Sequence, residues 1–409
     1  MSRNSALIRR LAPLHLAVFL TGFGLWVPIE KLFMNEIGFQ PATIGLMVAA
    51  YAAVVPIIEI PSGVLADRWS RRGMLIIGTV AALISVLLAG LSSTVPTYIL
   101  SVMVLGIYFA TASGTLDSMV YDTVLEVTGD GQGFQRQIGR IRLIESVALV
   151  GSGLAGGWIA ELTSTRMTYF LTLPILALSI IALLRFEEPR QHQVEQRTSL
   201  RAHLRLTATT LLRSGTLRPI VLLSLLSSVL LTTLYEFGPL WLVALSAATM
   251  IFGPAWAGLM ASIGIGGLLA GRLRLDRPLV LAAAAIISVL SVIGLIMSRN
   301  VLIAILSQIA LVLVIMVISI HVTSLLHDAV PSTIRAGVAS GVSSLSWMAF
   351  LPFSLSFGLL HQATDVFTAG WMIAAAVVLT FAVLVKLTAG PAAPPEPAAL
   401  LQESSVGGR

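Results

Sequence analysis

Residues 279–297 read LVLAAAAIISVLSVIGLIM, an apolar stretch without a single charged residue. A helix needs roughly 20 apolar residues to cross the hydrocarbon core of a bilayer, and this stretch has about that length. A strand of an outer-membrane barrel would instead alternate apolar and polar residues, which this stretch does not do. Because lipid offers no hydrogen-bond partner to the backbone, we expect a transmembrane helix here.

Similar stretches recur along the whole chain. The sequence therefore predicts an all-α integral membrane protein with twelve transmembrane spans. The predicted spans, numbered in chain order, cover residues 11–33, 42–65, 74–94, 97–121, 140–160, 167–185, 219–243, 255–271, 278–297, 301–326, 338–360 and 366–387. The basic residues before the first apolar run are interpreted as the start of span 1 and not as a cleaved signal peptide.

The composition agrees with a membrane protein. Of the 409 residues, 56% are hydrophobic and only 11% are charged, whereas an average soluble domain is about a quarter charged. These values exclude a cytosolic enzyme, a nucleic-acid-binding domain and a disordered chain. Cysteine is absent, which excludes disulfides, thiol catalysis and a cysteine-based metal site.

The positive charges fall on one side of the predicted spans. If the N-terminus is cytoplasmic, 22 of the 25 Lys and Arg residues lie on the cytoplasmic side. The positive-inside rule then predicts a protein of the cytoplasmic (inner) membrane with both termini in the cytoplasm. This distribution also explains the basic net charge without a nucleic-acid partner.

The chain divides into two similar halves. We predict an N-terminal six-helix bundle (1–185), a cytoplasmic linker with an amphipathic stretch (186–218), a C-terminal six-helix bundle (219–387) and a disordered cytoplasmic tail (388–409). The sequence GVLADR at 63–68 is matched by GLLAGR 204 residues later, and YD at 121–122 by HD 206 residues later. Two parallel six-helix repeats of this kind place a substrate site between the bundles.

The stretch GVLADRWSRR at 63–72 resembles the signature between spans 2 and 3 of the major facilitator superfamily. The resemblance covers about residues 11–387 and extends to the bacterial drug/proton antiporter-like branch. It implies two pseudo-symmetric bundles and secondary transport by alternating access. It also implies a gating motif, in which Asp67 pairs across the interface of spans 2 and 11. The motif residues are Gly63, Asp67, Arg68, Arg71 and Arg72. In span 5, the glycines at 153, 156 and 157 are interpreted as sites of close helix packing.

Ionisable residues within the spans form two predicted layers, because such residues usually line an aqueous cavity. The inner layer contains Glu59, Asp117, Arg142, Glu145 and His321. Two interpretations of it remain open. It is either a proton-sensitive gate or a permanently satisfied network that holds spans 2, 4 and 5 together.

The outer layer contains Glu30 in span 1 and Glu236 in span 7. Either carboxylate could carry the coupling proton or face a cationic substrate. Glu30 could also lie at the outer interface beside Lys31 and Glu36. The aromatic residues near these acids are Trp26, Tyr235, Trp241 and Trp347. They suit a cavity that binds amphipathic cations, although packing and membrane interfaces also use such residues.

These features favour a proton-coupled transporter that exports small amphipathic or cationic compounds by alternating access. The alternatives are a proton-coupled importer of a small metabolite and a lipid transporter with the same fold. An importer of anions would need a basic residue in the cavity, and only Arg142, near the inner end, was a candidate. No H-E-x-x-H, G-x-S-x-G or P-loop motif occurs, so we expect no enzyme, no metal site and no cofactor besides the proton gradient. The expected partners are a small-molecule substrate, protons and membrane lipids, and the protein is expected to be a monomer.

Overall fold

The structure is a computed structural model that describes residues 3–112, 115–129, 134–189, 217–270, 272–330 and 335–389. These residues form helices and connecting turns without any β-strand. They include twelve helical segments that are long and apolar enough to cross a membrane. The predicted fold class and number of spans are confirmed. Most of the predicted linker and of the predicted disordered tail lies outside the described residues.

Nine spans are each a single helix in the described part of the chain. Their bounds, for spans 2, 3, 5, 6 and 8–12, are Pro41–Arg68, Arg71–Leu91, Phe134–Leu162, Thr165–Arg185, Thr249–Ala270, Pro278–Met297, Val301–Ala329, Arg335–Ala363 and Val366–Ala389. Span 4 comprises Val95–Ala112 and Thr115–Thr128, on either side of two residues that are not described. Several helices extend beyond the predicted bounds. Charged residues such as Arg136 end an apolar run without ending the helix.

Span 1 is not the single straight helix that the sequence suggested. Its main helix is Arg3–Gly22, and a short 3₁₀ turn at Val27–Ile29 then leads into a second helix, Glu30–Glu36. Gly24 lies in the connection, and Pro28, the second residue of the turn, has no N–H to donate. This break places Glu30 at the start of a new helix.

Span 7 is broken in a similar place. Its main helix is Leu217–Phe237, and a short helix follows at Pro239–Ala244. The carbonyl of Gly238, between the two helices, accepts a hydrogen bond from the side-chain amide of Gln308 in span 10 at 3.1 Å. This hydrogen bond from span 10 therefore stabilises the break in span 7.

Spans 1–6 pack mainly against one another, and so do spans 7–12. The two bundles meet chiefly where span 2 lies along span 11 and where span 5 lies along span 8. The broken ends of spans 1 and 7 add a further contact, between Glu30–Glu36 and Pro239–Ala244. We call the end of the molecule near residues 3 and 389 the termini face and the other end the opposite face.

The bundles approach each other most closely near the opposite face, through glycines. A Cβ added to Gly358 in span 11 would lie 3.0 Å from the Cα of Gly45 in span 2. A Cβ added to Gly157 in span 5 would lie 2.8 Å from the backbone nitrogen of Gly253 in span 8. Because side chains other than hydrogen do not fit, these glycines allow backbone-to-backbone contact that closes the opposite face.

Candidate functional site

A lysine and two glutamates join the two bundles near the opposite face. The Lys31 ammonium is 2.6 Å from a carboxylate oxygen of Glu30 and 3.1 Å from one of Glu236. Glu30 and Lys31 begin the second helix of span 1, while Glu236 lies in the last turn of the main helix of span 7. One ammonium group therefore bridges carboxylates that belong to different bundles.

This ionic cluster is largely shielded from solvent. The side chain of Lys31 is only 2% exposed, and those of Glu30 and Glu236 are 15% and 25% exposed. An ammonium group removed from water must be paired, and breaking such a pair by removing one partner typically costs about 3–5 kcal/mol. With one ammonium and two carboxylates, the ionised cluster carries a net charge of −1.

Two buried tyrosines hold Glu30 from the side of the N-terminal bundle. The Tyr98 hydroxyl in span 4 donates a hydrogen bond to Glu30 at 3.0 Å. The hydroxyls of Tyr98 and Tyr169 are 2.9 Å apart, which links spans 4 and 6. Trp26 stacks on the Tyr169 ring with a centroid distance of 5.4 Å. The predicted aromatic residue Trp26 is therefore linked to the glutamate through two tyrosines.

The other predicted cavity aromatics have different environments. Trp347 in span 11 contacts Tyr51 in span 2 edge-on at 5.4 Å, across the bundle interface. Trp241 is fully buried and donates its indole N–H to the carbonyl of Leu295 at 2.8 Å. Tyr235 is partly buried, one residue before Glu236. Trp241 therefore serves packing, while Trp347 lies between the bundles.

Three residues of the predicted inner layer meet in the N-terminal bundle. Arg142 in span 5 donates to Asp117 in span 4 at 3.1 Å and to Glu145, one turn further along its own helix, at 3.2 Å. All three side chains are between 41% and 54% exposed. The group is therefore an accessible ionic network rather than a buried one. Asp117 also lines a cavity of about 310 Å³ together with Arg71 and Asp122.

The remaining two members of that layer lie on other helices. Glu59 is partly buried in span 2, where its backbone carbonyl accepts a hydrogen bond from Ser62 at 3.0 Å. His321 is partly buried in span 10, which belongs to the C-terminal bundle.

The described arginines of the gating motif contact residues of the N-terminal bundle. Arg71 forms an ion pair with Asp122 in the second helix of span 4. Arg72 donates to the carbonyl of Phe186, just after span 6, at 3.0 Å. The side chains of Asp67 and Arg68, and the environment of Gly63, lie outside the described part of the chain. The predicted pairing of Asp67 with span 11 consequently stays a prediction.

Lys31 is the site residue that sequence reasoning missed. The distribution of Lys and Arg places it among the three basic residues on the outer side, and it was not predicted to line the cavity. One signal was present in the sequence. Glu30 and Glu236 are 206 residues apart, the same offset that separates the repeated YD and HD pairs. The two carboxylates therefore occupy equivalent positions in the two repeats.

A family model described as the Major Facilitator Superfamily matches residues 12–377 of this chain. Among curated proteins, Multidrug resistance protein 1 of Bacillus subtilis is 27% identical over 183 residues, which are 44% of this chain and 46% of that protein. Quinolone resistance protein NorA of Staphylococcus aureus is 25% identical over 171 residues, or 42% of each chain. The chain thus matches slightly less than half the length of these relatives.

Solved structures show the same fold over nearly the whole chain. The nucleoside transporter NupG superposes with a TM-score of 0.75 at 14% identity, covering 94% of this chain and 100% of that one. The D-xylose-proton symporter superposes with a TM-score of 0.70 at 15% identity, covering 94% and 99%. At these identities the likeness concerns the fold alone.

Proposed function

Because this chain belongs to the major facilitator superfamily of membrane transporters, we propose that it exports small amphipathic cations in exchange for protons. The observation that carries this proposal is the cluster of Glu30, Lys31 and Glu236 between the two bundles. Its net charge of −1 and its aromatic surroundings suit a positively charged, partly apolar molecule. The resemblance to multidrug and quinolone resistance proteins supports the same direction of transport.

Alternating access gives the cluster a defined role. Transport requires the bundles to separate at the face that is closed in this structure. Lys31 and Glu236 belong to different bundles, so their ion pair must break each time this happens. With the termini in the cytoplasm, as the distribution of Lys and Arg favours, the closed opposite face is the outer one.

Exchange of protons for cations follows from the same ion pair. Once Lys31 has moved away, Glu236 is a carboxylate in a poorly hydrated site. A charge in such a site is strongly unfavourable unless it is neutralised by a proton or by a counter-ion. A proton and a cationic substrate therefore compete for the same group, and competition of this kind couples their opposite movements.

The buried lysine also bears on the import alternative. An anion-binding site requires an excess of basic groups, and Lys31 is a basic residue between the bundles that the sequence did not predict there. Its charge is offset by two carboxylates within 3.1 Å. The local excess is negative, which favours a cation over an anion.

The test is flux in proteoliposomes that contain the purified protein. We expect an imposed pH gradient to drive movement of a fluorescent cationic dye, and Glu236→Gln to reduce this flux by at least about tenfold, since it removes the group for which proton and dye compete. Glu30→Gln and Asp117→Asn are measured alongside. Glu161→Gln, at an exposed position of span 5, is the control that should transport normally.

Each alternative predicts a different result in the same vesicles. An importer of a neutral or anionic metabolite would leave cationic dyes unmoved at every pH gradient. A lipid transporter would instead move a fluorescent phospholipid between the two leaflets. Wild-type protein that is folded yet moves no cationic dye would refute the proposed export of cations.

A further inference from the structure

We infer that Lys31 limits the site to a single added positive charge and so makes the transporter select monocations over dications. This inference rests on the proposed function, because it concerns the substrate of the same site. It follows from the charges, the chain connections and the burial of three residues.

The first step is the number of charges that the site can accept. Glu30 and Glu236 together supply two negative charges, and Lys31 neutralises one of them at 2.6 and 3.1 Å. The Arg166 guanidinium lies over the Phe33 ring and donates to the carbonyl of Gly90, so its described contacts lie outside the cluster. The ionised cluster thus has room for one further positive charge.

The second step concerns where that charge is accepted. Lys31 and Glu30 are adjacent residues on one short helix, and they stay together when the bundles separate. Glu236 belongs to the other bundle and loses its partner. The position that Lys31 leaves beside Glu236 can accept a group of the size of one ammonium with a single positive charge. A monocation or a proton fills it, whereas a dication brings a second charge that no carboxylate of the cluster balances, because Glu30 stays paired with Lys31.

The third step is the effect of removing the ammonium charge. Lys31→Gln keeps a long side chain with hydrogen-bond donors but leaves both carboxylates without a cation. The cluster then carries a charge of −2 when it is ionised. A dication becomes the matching ligand, so substitution of one residue should change the preferred charge of the substrate.

The experiment uses two probes of similar shape, the monocation N-methyl-4-phenylpyridinium and the dication methyl viologen. Binding to the purified full-length protein is followed by tryptophan fluorescence. Trp26 can report on the site because it is linked through Tyr169 and Tyr98 to Glu30. We expect the wild type to prefer the monocation, and Lys31→Gln to shift the ratio of the two dissociation constants toward the dication by at least about tenfold. Lys386→Gln, at the far end of span 12, is the matched control and should leave the ratio unchanged.

Different failures have different meanings. Wild-type protein that binds methyl viologen as tightly as the monocation would overturn the inference without any variant. An unchanged ratio of the two dissociation constants in Lys31→Gln protein would also overturn the inference, and so would a Lys31→Gln protein that binds neither probe. Both results would leave the proposed export of cations intact. Wild-type protein that binds and transports neither probe would refute the proposed function itself.

Discussion

Tyr98 connects the ionic cluster to the interior of the N-terminal bundle. Its hydroxyl donates to Glu30 and lies within hydrogen-bond distance of the Tyr169 hydroxyl, at 3.0 and 2.9 Å. The ring is completely buried and contacts Phe33 and Phe39. Glu30 is therefore held in one orientation, which in turn determines where the ammonium of Lys31 can lie.

We predict that Tyr98→Phe lowers the stability of the protein by about 1–2 kcal/mol, because a net contribution near 1 kcal/mol is typical of each hydrogen bond. The change would be measured as a lower midpoint of thermal unfolding in detergent. Tyr108→Phe is the control, since that hydroxyl makes no hydrogen bond among the described residues. Equal midpoints for the two variants would contradict the prediction.

At the scale of single elements, the breaks in spans 1 and 7 decide where the site lies. The turn at Val27–Ile29 separates the two helices of span 1 and places Glu30 and Lys31 at the start of the second helix, where they meet span 7. In span 7, Glu236 lies just before the break at Gly238. Sequence periodicity does not reveal such breaks, because it reports which residues share a face and not where the backbone changes direction.

The close packing of span 5 against span 8 is a second feature of single elements that has a testable consequence. We predict that Gly253→Val keeps the opposite face from closing, because a Cβ at this position would press against the backbone of Gly153 and Gly157. A single cysteine introduced at the fully buried Ser354 would report opening, since the chain has no cysteine of its own. We expect maleimide to label it several-fold faster in the Gly253→Val background.

Gly264→Val provides the matched control for that experiment. Gly264 lies on the same helix, and no heavy atom lies within 4 Å of a Cβ added there. Labelling at Ser354 should stay at the wild-type rate in this background. Equal rates in the two backgrounds would mean that the glycine contact does not limit closure.

For the whole molecule, the number of spans and their pairing into two bundles could be predicted from the sequence. Apolar length and internal repeats are properties of long segments, and they survive errors of a few residues. The site could be predicted only in part. Glu30 and Glu236 were identified individually, but their meeting at Lys31 depends on how two bundles close on each other, which local sequence does not encode.

The orientation of the whole protein in the membrane can be tested directly. We expect a membrane-impermeant maleimide added to intact spheroplasts to label Ser93→Cys, in the loop after span 3, and not Asp276→Cys, in the loop after span 8. Both positions are exposed, so accessibility within the protein does not distinguish them. Labelling of Asp276→Cys alone would place the termini outside and reverse the direction of transport that we propose.

The two glutamates occupy equivalent positions of the repeats, but the residue equivalent to Lys31 is Phe237. The pseudo-symmetry of the cluster is therefore broken by one charge, and under the proposed function the site would hold one exchangeable cation at a time. A carrier of this kind trades one proton for one monocation, and a full cycle moves no net charge across the bilayer. Such exchange is electroneutral, so it would draw on the pH difference alone and continue when the membrane potential has collapsed.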